Sequence, residues 1–141
     1  MDKEKQQKNG QNGISLDHVH MKVGDLERSI EFYVSLGATL EARYQFEGID
    51  TAALLIGDVR LNITGGCEAG TAVVDHIGIA INDMDGRYDG LEEKGAKLLR
   101  GPKDWEPHKI IKPSDRVPLR GRFAFIEGPD GEFIELVTPR A

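Results

Sequence analysis

The chain repeats itself in register. Moving residues 17–40 forward by 58 positions carries Asp17-His18 onto Asp75-His76, Asp25 onto Asp83, Gly37-Ala38 onto Gly95-Ala96 and Leu40 onto Leu98. The apolar residues follow, since Val19, Met21 and Val23 fall on Ile77, Ile79 and Ile81. A second match, at a shift of 73, closes each copy by carrying Leu61-Asn62-Ile63 onto Ile134-Glu135-Leu136. Neither copy alone can cover its apolar face, so the two are expected to pair about a pseudo-twofold axis as halves of one structure. A histidine at the start of each copy is then brought close to its counterpart, and the repeat indicates where chemistry is to be sought.

With 141 residues the chain is read as a single domain, able to bury a core of its own. A net charge of −6 argues against a general nucleic-acid binder, which needs a basic surface. No apolar run approaches the roughly 18 residues that span a bilayer, and no signal-peptide core is visible. The single cysteine, Cys67, cannot form an internal disulfide, so a cytoplasmic location is expected. Residues 1–13 are almost wholly polar and read as a flexible tail.

Each copy reads as βαβββ. Residues 16–24 alternate Leu16, His18, His20 and Lys22 on one face with Val19, Met21 and Val23 on the other, the period of a strand. Asp25 is placed to cap a helix in which Leu26, Ile30, Tyr33 and Val34 recur at helical spacing, and Gly37 ends it. Strands are expected near 39–47, 50–56 and 59–64, with turns at Gly48 and Gly57-Asp58. The second copy repeats the order with a strand at 74–82, a helix from the Asp83 cap to about Lys94, and strands near 97–100, 122–127 and 132–138. Pro129-Asp130-Gly131 supplies a hairpin turn. Residues 101–121 hold four of the six prolines and little apolar periodicity, and read as a long inserted loop. The fold class is α+β: two tandem modules, 14–66 and 74–138, forming a half-open, cup-shaped mixed β-barrel with helices outside, within a single domain 14–138.

Strand alternation points His18 and His76 into the cup, with Glu135 on the closing strand beside Phe133 and Val137, and Asn62 at the matching place in the first copy. Two neutral imidazoles and a carboxylate suffice for a divalent metal with open coordination positions. His20 shares the cup face with His18, where it can act as general acid or base or simply fill the floor. Glu47 flanks the turn at Gly48 and is a second candidate base at the rim. Asn62 and Trp105 are candidate substrate contacts. Lys109, Lys112, Arg116, Arg120 and Arg122, against the single acid Asp115, make the insertion a candidate lid for an anionic substrate, with Arg116, Arg120 and Arg122 as its guanidinium forks.

The segments LDHVHMKVGDLERSIEFY, DHIGIAIND and GPDGEFIELV resemble the vicinal oxygen chelate superfamily, which includes glyoxalase I, methylmalonyl-CoA epimerase, extradiol dioxygenases, fosfomycin-modifying enzymes and bleomycin-sequestering proteins. The resemblance spans about residues 14–138. It implies paired βαβββ modules, metal-ligand roles for His18, His76 and Glu135, a small-molecule substrate and a homodimer. The departure is Asn62, where glyoxalase I and the epimerase usually carry Glu or Gln as a fourth ligand. A three-ligand site with Fe(II) and dioxygenase-like chemistry is therefore the leading expectation. Mn(II), Ni(II), Zn(II) or Co(II) with lyase or epimerase chemistry is the alternative, and a non-catalytic ligand-binding protein of the bleomycin-resistance type is a third.

Overall fold

A computed structural model describes residues 13–113 and 121–138; most of the expected tail and the stretch carrying Arg116 and Arg120 lie outside the described residues. The strands β1 (Ile14–Lys22), β2 (Thr39–Phe46), β3 (Ile49–Ile56), β4 (Val59–Thr64), β5 (Val73–Ile81), β6 (Lys97–Trp105), β7 (His108–Lys112), β8 (Gly121–Glu127) and β9 (Phe133–Val137) accompany the helices α1 (Leu26–Ser35) and α2 (Met84–Arg87). Among the described residues the strands form one unclosed sheet in the order β6-β8-β9-β5-β1-β4-β3-β2-β7. The chain divides into two compact units whose boundaries fall inside β1 and β5. Among the described residues one unit holds His18–Asp75 with 106–113, and the other holds 13–17, His76–Trp105 and 121–138.

In the first unit β1 runs parallel to β4, with Val19 opposite Leu61, His20 opposite Asn62 and Met21 opposite Ile63. β3 continues the sheet with Ala53 opposite Asn62 and Thr51 opposite Thr64, and β2 follows with Tyr44 opposite Thr51. Val19, Met21, Leu26, Tyr33 and Leu40 close on a buried cluster of Ile30, Ala52, Leu54, Leu61 and Ile63. Leu54 and Ile63 are wholly excluded from solvent, and each such side chain contributes about 2 kcal/mol by burial. Alternation sends the neighbours of these residues, including His18, His20, Ala53, Asn62 and Thr64, to the opposite face.

Helix α1 forms as the sequence implies. The Asp25 carboxylate accepts from the Arg28 amide at 3.1 Å, satisfying one of the unpaired N–H groups of the first turn. At the other end Gly37 takes φ +113, and the Ala38 amide donates to the Tyr33 carbonyl at 3.0 Å, a left-handed close that suits glycine. Asp25→Ala is expected to lower stability by about 1 kcal/mol, read as a drop in denaturant midpoint at unchanged slope.

The second unit reproduces the register of the first. β5 runs parallel to β9 with Ile77 opposite Ile134 and Gly78 opposite Glu135. The shifts of 58 and 73 map this onto the pairing of Val19 with Leu61 and of His20 with Asn62. Its core is Ile81, Met84, Tyr88, Ala124, Ile126 and Leu136, with Ile79, Leu91, Ala96, Leu98 and Ile134 packed against it. Burial raises the Tyr88 phenol above its ordinary pKa, and its O–H donates to the Phe125 carbonyl at 3.2 Å.

Two expectations need correction here. The helix from Asp83 to Lys94 is broken into the single turn α2 and a 3₁₀ turn at Asp89–Lys94. Asp83 is left-handed, with φ +53, and makes no capping bond. Gly86 and Gly90 fall within this stretch, and each costs an α-helix up to about 1 kcal/mol relative to alanine. The stretch 101–121 is also not one long loop. β6 continues to Trp105 along β8, with shifts in the ladder on either side of Arg100 that accommodate Pro102, which cannot donate to a neighbouring strand. β7 adds to the edge of the first unit, with Arg43 opposite Lys112 and Gln45 opposite His108. Every residue of β7 is exposed, so no alternating apolar pattern marked it as a strand.

Candidate metal centre

His18 and His20 project from β1 on the face opposite Val19 and Met21, which are committed to the core. His18 is buried and His20 half-buried. The His20 Nε2 lies 3.0 Å from Thr64 Oγ1, and the threonine is held in place by the β3–β4 ladder. The threonine hydroxyl can accept from Nε2–H or donate to a bare Nε2, according to the tautomer of His20. Asn62, opposite His20 in the parallel pair, is only 6% exposed, and its Oδ1 has no hydrogen-bond partner among the described residues.

On β5, His76 is buried, and its Nε2 lies 3.4 Å from Oε1 of Glu135, itself 9% exposed. The ring meets Phe125 and Phe133 edge-on, with centroids at 5.9 Å and 5.5 Å, and these two phenylalanines stack on each other at 4.8 Å. Burying a carboxylate is costly unless it is paired or hydrogen-bonded, and a metal ion shared with His76 would offset that cost.

His18, His20 and His76 each offer a ligand nitrogen, and these atoms all lie within 4.8 Å of one another. The three histidines could form a metal site. Donors sharing one ion at about 2.1 Å stand roughly 3.0–3.4 Å apart at tetrahedral to octahedral angles, and the His76–Glu135 separation falls at the top of that span. Imidazole nitrogens suit a first-row divalent ion, and Glu135 lies beside one of the three, His76. His20, expected beside the site as a catalytic group, stands among the nitrogens that could hold the ion.

The other expected residues are distributed unevenly. Glu47 occupies the β2–β3 turn, exposed and left-handed at φ +51; it is three residues beyond Tyr44, which faces Thr51, and so roughly 10 Å along the strand from that pair at about 3.3 Å per residue. Trp105 ends β6 opposite Gly121 and is half-buried. Arg122 is engaged within the second unit. Its guanidinium donates to both carboxylate oxygens of Asp85 at 2.9 Å and 2.6 Å and to Asp104 at 2.9 Å, tying β8 to α2 and β6. The hydrogen bond to Asp85, followed by that to Asp104, raises its pKa above the ordinary value. A fork engaged by two carboxylates acts as a strut between these elements. Lys112 likewise donates to the Glu41 carbonyl, at 3.4 Å.

The paired registers and the cluster of histidines define a duplicated βαβββ protein with a candidate metal site, and the chain belongs to the Glyoxalase/Bleomycin resistance protein/Dioxygenase superfamily, whose profile matches residues 15–136. That superfamily includes glyoxalase and dioxygenase enzymes. A protein named "Probable lactoylglutathione lyase" from Synechocystis is 26% identical over 139 residues, covering 85% of this chain and 92% of its own. Among solved structures, a hypothetical protein from Bacillus halodurans superposes with a TM-score of 0.68 at 20% identity, covering 91% of this chain and 96% of its own. A mutant 4-hydroxymandelate synthase from Streptomyces coelicolor gives 0.66 at 18% identity over 90% of this chain and 39% of the synthase. Both structural likenesses bear on the fold alone. Among the described residues no helix is long and apolar enough to cross a membrane.

Proposed function

We propose that this chain is a divalent-metal-dependent enzyme that binds a small oxygenated substrate at an open site formed by His18, His76 and Glu135, with Fe(II) and dioxygenase-like chemistry favoured. The observation that carries this reading is the His76–Glu135 contact at 3.4 Å beside a group of three histidines, two of which, His18 and His76, stand at matched repeat positions. When bound, the ion would act as a Lewis acid toward neighbouring oxygens of the substrate. The imidazoles bring no charge and Glu135 brings one negative charge, so the site would keep a net positive charge that favours an ionised substrate oxygen. A proton-holding role for His20 is supported by its seat on the same face of β1 as His18 and by its contact with Thr64. Asn62 can donate or accept a hydrogen bond but cannot take a proton, so the site lacks a second carboxylate at the place matching Glu135. That absence weighs against a proton shuttle that uses carboxylates on both sides of the substrate.

The name of the Synechocystis relative supports a second reading as a lyase, with Ni(II), Zn(II), Co(II) or Mn(II) in the same donors. The two are separated by loading metal-free protein anaerobically with each ion. Oxygen uptake in the presence of a catechol by the Fe(II) form, lost in Glu135→Gln, supports the dioxygenase-like reading. No oxygen uptake, together with turnover of the methylglyoxal–glutathione hemithioacetal by the Ni(II) or Zn(II) form, overturns it in favour of the lyase.

A further inference from the structure

The two copies of the repeat match in register but not in the face they present. In the first unit the ladder places Thr51 opposite Thr64 and Ala53 opposite Asn62; in the second, Phe123 stands opposite Val137 and Phe125 opposite Glu135. Phenylalanines thus replace a threonine and an alanine, and Phe133 stands where the first copy has Arg60. Three of the five phenylalanines in the chain lie on this one face, beside His76 and Glu135. Phe125 and Phe133 stack with an interplanar angle of 14°, and Phe123 meets Phe125 edge-on at 5.7 Å. Phe133 is 36% exposed, so the wall is open to an incoming ring.

Two cations from β6 converge on the inner end of this wall. The Arg100 guanidinium lies 5.1 Å and the Lys103 ammonium 5.6 Å from the centroid of Phe123, a ring otherwise excluded from solvent. Both are donors suited to an anion, since an ammonium or guanidinium forms charge-assisted hydrogen bonds with a carboxylate. Trp105 lies on the same side of β6 as Lys103, two residues along an unshifted stretch of the ladder.

We propose that this face is the subsite for a planar unsaturated ring bearing a carboxylate, the ring lying against Phe133 and Phe125 and the carboxylate reaching Arg100 and Lys103. It deepens the reading given under Proposed function by naming the substrate class, and it rests on that reading only for chelation of the substrate oxygens by a metal. The subsite itself is built wholly within the second unit and requires no ion.

Fluorescence of Trp105, the only tryptophan, provides the readout on metal-free protein. Benzoate, its neutral isostere benzamide and the non-planar cyclohexanecarboxylate are titrated in turn. Benzoate is expected to bind about tenfold tighter than either, the size of one charge-assisted contact or one aromatic contact. Arg100→Gln and Lys103→Gln should each shrink the benzoate–benzamide margin, and Phe133→Leu should shrink the benzoate–cyclohexanecarboxylate margin, with circular dichroism confirming that each variant is folded. Equal binding of the three compounds, or margins that survive these substitutions, overturns the subsite. A protein that keeps the margins but binds no divalent ion overturns the metal reading and leaves the subsite standing.

Discussion

His76→Ala should weaken divalent-metal binding by at least about a hundredfold while leaving the chain folded. Loss of a residue that merely orients a metal ligand typically costs 10- to 100-fold, so loss of a ligand should reach or exceed the upper end of that range. The fold should survive because His76 lies on the face opposite Ile79 and Ile81, the β5 residues that pack with the second unit's core. Calorimetric titration with Zn(II) or Co(II), alongside a thermal melt of the metal-free protein, measures both quantities. His108→Ala is the control, since His108 is exposed on β7 and should bind metal as the unsubstituted chain does. Equal affinity in His76→Ala and the unsubstituted chain would remove His76 from the ligand set.

Leu54→Ala should show the reverse pattern. Leu54 is wholly buried in the first unit's core, among Ile30, Ala52, Leu61 and Ile63, and truncation there removes buried methyl groups and leaves a cavity. A loss of about 3 kcal/mol is expected, which for a domain of this size lowers Tm by roughly 10 °C. The histidines lie on the other face of these strands, so metal affinity below the melting transition should stay within about twofold, the shift produced by a few tenths of a kcal/mol. If metal binding falls with stability in this variant, the two faces are coupled and the separation between core and site is wrong.

Much of this was legible in the sequence because the two informative patterns, repetition and alternation, are both geometric. A shift of 58 residues implied that β1 and β5 are equivalent, and a shift of 73 implied the same for β4 and β9; the observed ladders agree residue for residue. Alternation likewise placed Val19, Met21, Ile134 and Leu136 in the cores and left His18, His76 and Glu135 on the opposite face. What escaped was structure lacking a periodic burial signal. β7 is exposed throughout and takes its hydrogen bonds from the edge of β2, so its residues carry no trace of the pairing. The helix after Asp83 failed because the repeat match concealed a difference in composition, with two glycines where α1 has residues better suited to a helix. The ion pairs of Arg122 carry no sequence signal because its partners, Asp85 and Asp104, are remote in sequence and meet it only through the fold. The phenylalanine wall lies where the two copies differ, with Phe123, Phe125 and Phe133 standing in the places of Thr51, Ala53 and Arg60.

The central claim is that His18, His76 and Glu135 hold one divalent ion per chain. Metal-free protein loaded anaerobically with excess Fe(II), desalted and submitted to elemental analysis tests it most directly, with the double variant His18→Ala/His76→Ala carried in parallel. About one iron per chain is expected in the unsubstituted protein and little or none in the variant. Iron absent from both, or retained equally by both, would contradict the claim.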